Sequence, residues 1–339
     1  MRRLVLFLSL IVVLLVGVAV FDWWIDPFGD IYKPAALTAA LNEHPNCLVS
    51  EELVGARYFS FKLDLFHRRP TTRFVVGSSR VLRIAAHPGE RTFTNLGFPG
   101  TAPETILSLF RALPAKPVQT VYLGVEPFWF TPKFTVPVYR PSRTQLAQYL
   151  LSRATFQFAV RFARQAHYIF FHRWTRELVG SKCVIGRQSP GIAWNTDGSR
   201  TYDYELDPTI PTPRPQYNVA GFEAGAYGNW TSFEGGRLAV LQQALEVAKQ
   251  RGWHVVGFSP PEPGPLLRWL ETDAQVSVRW REFLRRVPAL FRAAGDRWVN
   301  VWDGQQLGCP ASSFPDGFHA GAACSRLVRA RLDAAAGPQ

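Results

Sequence analysis

The chain has 339 residues, 47% of them hydrophobic, which is enough to bury a full core in one domain with an insertion or in two domains. Lys and Arg outnumber Asp and Glu by 38 to 26, giving a formal charge of +12 and pointing to anionic partners. No basic-aromatic recognition motif accompanies that charge, which argues against nucleic acid and in favour of anionic lipid headgroups or acidic glycans. The four cysteines, Cys47, Cys183, Cys309 and Cys324, form no Cys-x-x-Cys, so a structural zinc site is not expected, and in an oxidising compartment they can pair.

Met1-Arg2-Arg3 leads into an apolar run from Leu4 to Phe21, followed by Trp23 and Trp24 where an interfacial belt would lie. This predicts a single-pass anchor over residues 1–24, cytoplasmic at its basic end, with the body on the outer face. A cleavable signal peptide ending near Gly17-Val18-Ala19 is the rival reading. Residues 25–71 read as a linker with short helical pieces, one of them near 34–41.

From Thr72 the pattern becomes α/β. Phe74, Val75 and Val76 read as a short parallel strand ending at Gly77, and Thr92–Asn95 reads as a second strand. A helix opens after Gly100-Thr101 and runs through Ile106, Leu109 and Phe110, and Thr120–Val125 is a central third strand. Residues 131–232 interrupt the sheet with a proline-rich start, a basic helical stretch over 143–179 and a hairpin over 192–206 turning at Asp197-Gly198. A long irregular loop over 208–230 completes this insertion.

The body resumes with a helix carrying Leu238, Leu241, Leu245 and Ala248, ended by Gly252. Strand four is Trp253–Phe258 and closes in the rigid turn Ser259-Pro260-Pro261-Glu262-Pro263. A helix over 274–294, strand five over 298–302 and a last helix through Leu327 and Leu332 finish the chain. The alternation predicts an α/β, flavodoxin-like three-layer sandwich built on five parallel strands.

Chemistry concentrates at the strand ends. Gly77-Ser78-Ser79-Arg80 follows strand one, where an α/β sheet presents a nucleophile at its carboxyl edge; a helix-capping serine is the plainer reading. A serine hydroxyl needs a base within reach and that base needs an orienting acid, which Asp316-Gly317-Phe318-His319 supplies in one tight loop before the last helix. His44, His67, His87, His167, His172 and His254 have no such context.

Taken with Asn95-Leu96-Gly97 after strand two and Gly124-Val125-Glu126-Pro127 after strand three, this series resembles the SGNH/GDSL hydrolase superfamily. With an anchor in front, it resembles most its DltD-like and alginate-acetylation-like group of extracytoplasmic acyl-transfer proteins. The resemblance implies Ser79 as nucleophile in preference to Ser78, His319 as base, Asp316 as its partner, and the N–H groups of Ser79 and Gly97 as the oxyanion hole. Ser78, Arg80, Asn95 and Glu126 are then expected to line the site.

The departure is Glu126, where the family usually has an asparagine, since an ionised carboxylate would repel an oxyanion. Either burial keeps it protonated or, the preferred alternative, it turns towards Arg80, leaving a fixed cation where a carbonyl or an acidic sugar could bind. Cys309 and Cys324 bracket the Asp316/His319 loop, and a bridge there would stiffen it. The resulting expectation is a serine esterase or O-acyltransferase acting, without metal or cofactor, on an envelope glycan or lipid-linked substrate in the periplasm. A membrane-protein partner from a polysaccharide machine fits the same picture. The alternative is a non-catalytic subunit of such a machine that keeps the fold as a scaffold.

Overall fold

The computed structural model describes residues 2–25, 41, 44, 46–54, 58–132, 134, 150–153, 156–157, 159–160, 176–185, 191–207, 209–213, 227 and 230–337. In chain order the main elements begin with α1 (Arg2–Ile25), β1 (Cys47–Ser50), α2 (Tyr58–Arg68), β2 (Arg73–Val76), β3 (Phe93–Asn95), α3 (Pro103–Ala112) and β4 (Thr120–Gly124). Next come β5 (Arg176–Val179), β6 (Lys182–Ile185), β7 (Ile192–Trp194), β8 (Arg200–Tyr202) and α4 (Gly235–Gln250). The chain closes with β9 (His254–Phe258), α5 (Gly264–Thr272), α6 (Val276–Ala294), β10 (Arg297–Val299) and α7 (Ala322–Ala336). Two compact bodies form, one from Met1–Asp64, Val138–Thr196 and Thr201–Ile210, the other from Leu65–Pro137, Asp197–Arg200 and Pro211–Gln339.

The first body contains α1, whose stretch Arg2–Trp23 has a mean hydropathy of 3.3 and is long and apolar enough to cross a membrane. A signal sequence has the same properties. The body also holds a sheet in the order β5-β6-β1-β7-β8, with β1 parallel to β6 and antiparallel to β7. Cys47 and Cys183 face each other across β1 and β6 and are joined in a disulfide.

The central place of β1 differs from the linker expected over 25–71. A four-residue strand paired with a segment more than a hundred positions away has no local periodicity to announce it. The basic helical stretch expected up to Val179 ends sooner, because Arg176–Val179 pairs with Lys182–Ile185 across a tight turn. Most of that stretch, like the helix expected near 34–41 and much of the 208–230 loop, lies outside the described residues. β7 and β8 are neighbours, as the Asp-Gly turn predicts, but the second strand stops at Tyr202 and Asp203–Leu206 turns helical.

The second body is built on a parallel sheet in the order β10-β9-β4-β2-β3. Counted along the chain, these five strands run 2-1-3-4-5, an order whose switch point falls between the first and third. Apolar runs make the strands: Phe74, Val75 and Val76 are fully buried, and so are Val121, Tyr122 and Leu123.

Alternate side chains serve opposite faces. Phe74 meets Phe110 of α3 and Trp253 edge to face, while Val75, Tyr122, Val256 and Phe258 pack with Val328 and Leu332 of α7. α3 packs on α4, and α6 packs on both α4 and α5. The segment after Pro263, read as the end of a rigid turn, opens α5, and strand five is Arg297–Val299, slightly earlier than expected.

Candidate active site

The strands β2, β4 and β9 deliver polar residues just beyond their carboxyl ends, the edge where open α/β sheets carry their sites. After β2 the chain must pass very close to β4: a Cβ on Gly77 would lie 2.9 Å from the Gly124 carbonyl oxygen. A short 3₁₀ turn over Ser79–Val81 follows, capped by Ser78, whose hydroxyl accepts from the Arg80 N–H at 3.1 Å. Ser78 is buried, whereas Ser79 stays partly accessible.

The loop 310–321 brings the other two groups. Asp316 Oδ1 accepts from the backbone N–H groups of Phe318 and His319 at 3.0 and 2.7 Å, and Gly317 between them takes a left-handed φ of 78° that favours glycine. The disulfide Cys309–Cys324 closes the base of this loop over a buried patch that includes Phe314 and Ala320.

His319 Nδ1 lies 2.7 Å from Asp316 Oδ2, and His319 Nε2 lies 2.8 Å from Ser79 Oγ. An ionised carboxylate only accepts, so the imidazole proton resides on Nδ1 and the lone pair of Nε2 accepts from the Ser79 hydroxyl. Burial opposes the charge of Asp316, but the hydrogen bonds from His319 and Phe318, joined by the charge of His319 once it is protonated, outweigh it and hold the carboxyl well below its usual range. Serine, imidazole and carboxylate thus stand in the order that general-base activation of a hydroxyl requires.

Glu126 is fully buried and bonded to Ser78 and Arg80. One of its oxygens accepts from the Ser78 hydroxyl and the other from Arg80 Nη1 at 2.9 Å. The same Nη1 lies 2.7 Å from Glu262 Oε1, a second fully buried carboxylate beyond β9. Glu262 is placed by its own backbone N–H, which donates to the Trp302 carbonyl at 2.7 Å, and its Oε1 also receives Tyr227 Oη at 3.3 Å. Arg80 Nη2 donates to the Pro261 carbonyl, and the guanidinium carbon sits 4.6 Å from the centre of the Phe318 ring.

Burial pushes the carboxyls of Glu126 and Glu262 above their ordinary range against the pull of Arg80, and the charge of Glu262 adds to the rise at Glu126. Burial opposes the charge of Arg80 as well, yet the two glutamates outweigh it and keep it protonated. Tyr227 is raised by burial and then by Glu262.

Three of the sequence expectations are corrected here. Arg80 is buried, its Nη1 and Nη2 are engaged by Glu126, Glu262 and the proline carbonyls, and its charge faces two carboxylates, so it offers no free cation to a carbonyl or acidic sugar. Asn95 does not line the site; fully buried, it donates to the carbonyls of Val81 and Ile84 at 2.8 and 2.9 Å and braces the turn after Ser79 from below. Its Oδ1 accepts the Gly97 N–H at 2.9 Å, so the second expected oxyanion donor already has an acceptor. The Ser79 N–H has none among the described residues.

Glu262 and Tyr227 were not singled out by the sequence reading. The one signal for Glu262 was an acid set among prolines at the carboxyl end of a strand, where a fixed backbone aims a side chain inward. Among the described residues no cluster of histidine, cysteine, aspartate or glutamate could hold a metal ion.

No family model matches this chain, and no curated protein does. Among solved structures, one that matches is a chain from Streptococcus pneumonia named for platelet activating factor, 11% identical, with a TM-score of 0.44. The match covers 89% of the present chain and 99% of that one. Likeness at this level fixes neither chemistry nor substrate.

Proposed function

We propose that the chain is a membrane-anchored, extracytoplasmic serine esterase or O-acyltransferase with a flavodoxin-like, SGNH-type body formed by residues 72–130 and 233–339. The observation that carries this reading is the unbroken line from Asp316 through His319 to an accessible Ser79. In the reaction, Ser79 Oγ attacks an ester carbonyl as His319 Nε2 takes its proton. The tetrahedral oxyanion collapses, the ester C–O bond breaks, and the leaving alkoxide takes the proton back from His319. Water or a sugar hydroxyl then attacks the Ser79 ester by the same steps in reverse, which gives hydrolysis or transfer.

Placement outside the cytoplasm is supported by two disulfides, which persist in oxidising compartments, and by α1 with Arg2 and Arg3 at its head. We read α1 as a single pass through a bacterial inner membrane with the body in the periplasm, and 131–232 as an insertion. The excess of basic residues suits an acidic envelope glycan or a lipid-linked acyl substrate.

A second reading, a scaffold subunit of a polysaccharide machine, is favoured by two observations: the Gly97 N–H is occupied, and a glutamate stands where an asparagine donor is usual. Turnover of p-nitrophenyl acetate by the full chain in detergent separates the two. The enzyme reading requires turnover that falls to the uncatalysed background in Ser79→Ala and His319→Ala and persists in Ser78→Ala. Activity that survives Ser79→Ala contradicts it, and a folded wild type with no turnover supports the scaffold.

A further inference from the structure

Behind the reacting groups, four contacts close a ring. Ser79 is bonded through the chain to Arg80; the guanidinium of Arg80 lies 4.6 Å from the Phe318 ring centre; Phe318 is bonded through the chain to His319; and His319 Nε2 returns to Ser79 Oγ at 2.8 Å. The rings of Phe318 and His319 meet edge to face at 5.1 Å. Arg80 is itself immobilised, with Nη1 held by two buried glutamates and Nη2 by the carbonyls of Pro260 and Pro261, so its exact plane is set by β4 and by the turn after β9.

Within this loop Asp316 is exposed and His319 half-buried, and the aromatic ring that meets the His319 imidazole is that of Phe318. Phe318 is therefore the residue through which the fixed guanidinium can set the height of the imidazole.

We propose that Phe318, docked on the buried Arg80–Glu126–Glu262 cluster, is a positioning residue that holds His319 at hydrogen-bonding distance from Ser79. The inference rests on the serine-enzyme reading for its kinetic consequence, while its geometric content stands without it. A ring over a guanidinium is attracted through its quadrupole, whereas an aliphatic side chain of similar size fills the space without that attraction. Loss of the contact lets the 316–319 segment drift and loosens both hydrogen bonds of the imidazole, to Asp316 and to Ser79, and small misplacements of a reacting group are costly.

The test uses the full chain in detergent, with Phe318→Leu and Phe318→Tyr compared with wild type in three measurements: thermal unfolding, the rate of Ser79 labelling by a fluorophosphonate, and ester turnover. Phe318→Leu should label about tenfold more slowly, with kcat reduced in proportion and KM within about twofold, while Phe318→Tyr restores the rate. Equal rates in all three proteins overturn the proposal. A rise in KM with kcat unchanged overturns it too, because Phe318 then touches substrate.

The downfield proton resonance of the His319 Nδ1–H is read in the same proteins without any turnover. If wild type fails to label, the enzyme reading falls, and the clamp is still decided by this resonance. Its loss in Phe318→Leu and retention in Phe318→Tyr support positioning; an unchanged resonance in both variants refutes it.

Discussion

Two of the buried arginines described in the second body, Arg80 and Arg329, are each gripped by two carboxylates and laid over an aromatic ring, and they solve different problems. Arg329 of α7 lies 3.8 Å from the Phe93 ring centre and bonds Glu90 and Asp333 near the start of β2. There the charges balance: Glu90 also pairs with Arg73 at 2.7 Å, and Asp333 also receives Tyr122 Oη at 2.6 Å and lies 2.7 Å from His87 Nε2. Burial opposes the Asp333 charge, yet these partners outweigh it and lower its pKa.

Arg80, just past the end of the same strand, is one cation between two fully buried carboxylates whose pKa values are both raised. A balanced cluster is a clamp between α7 and the sheet. An unbalanced one, beside the proposed nucleophile Ser79, is maintained at a cost in stability that the clamp does not carry.

The largest expected difference comes from removing each arginine. Arg80→Met strands two buried carboxyls without a cation and should destabilise the body by about 3–5 kcal/mol. Arg329→Met leaves Glu90 with Arg73 and Asp333 with Tyr122 and His87, so a loss of about 1–3 kcal/mol is expected. Denaturant unfolding of both variants checks the ranking, and a larger loss for Arg329→Met would break the comparison.

A smaller effect is opposite in sign at the two clusters. The folded pKa values of Glu126 and Glu262 lie above their unfolded value of about 4.3, so their contribution is intact below that pH and is lost as pH rises through the folded values. Asp333 is depressed, so its contribution is present above about 3.9 and lost as pH falls. Glu262→Gln, which leaves Arg80 paired with Glu126 alone, should flatten the decline of stability at rising pH. Asp333→Asn should instead lower stability at neutral pH and flatten the decline in acid. Unfolding free energies measured across the pH range test both signs, and a decline with rising pH that is as steep in Glu262→Gln as in wild type would remove the unbalanced pair from the explanation.

The contrast also shows what the sequence made legible. The parallel strands announced themselves because strands buried on both faces must be apolar throughout, and the meeting of Ser79 with the Asp316/His319 loop was readable because each motif is a few contiguous residues. The Arg80–Glu126 pair followed from one chemical argument, that a buried acid needs a cation. Glu262 did not, because an acid set among prolines marks a rigid turn but does not name a partner 182 positions away in Arg80. Strand β1 was hidden for the same reason, its partners lying beyond a long stretch of unrelated pattern. The occupied Gly97 N–H was equally invisible, since only the folded position of Asn95 reveals the competing acceptor.

The central claim is that Ser79 is the hydroxyl activated by His319, with Ser78 serving the buried cluster instead. The most direct measurement is fluorophosphonate treatment of the full chain in detergent, followed by mass mapping of the adduct in wild type and in His319→Ala. The expected result is a single adduct on Ser79 that His319→Ala abolishes. An adduct on Ser78, or labelling of Ser79 that does not depend on His319, would contradict it.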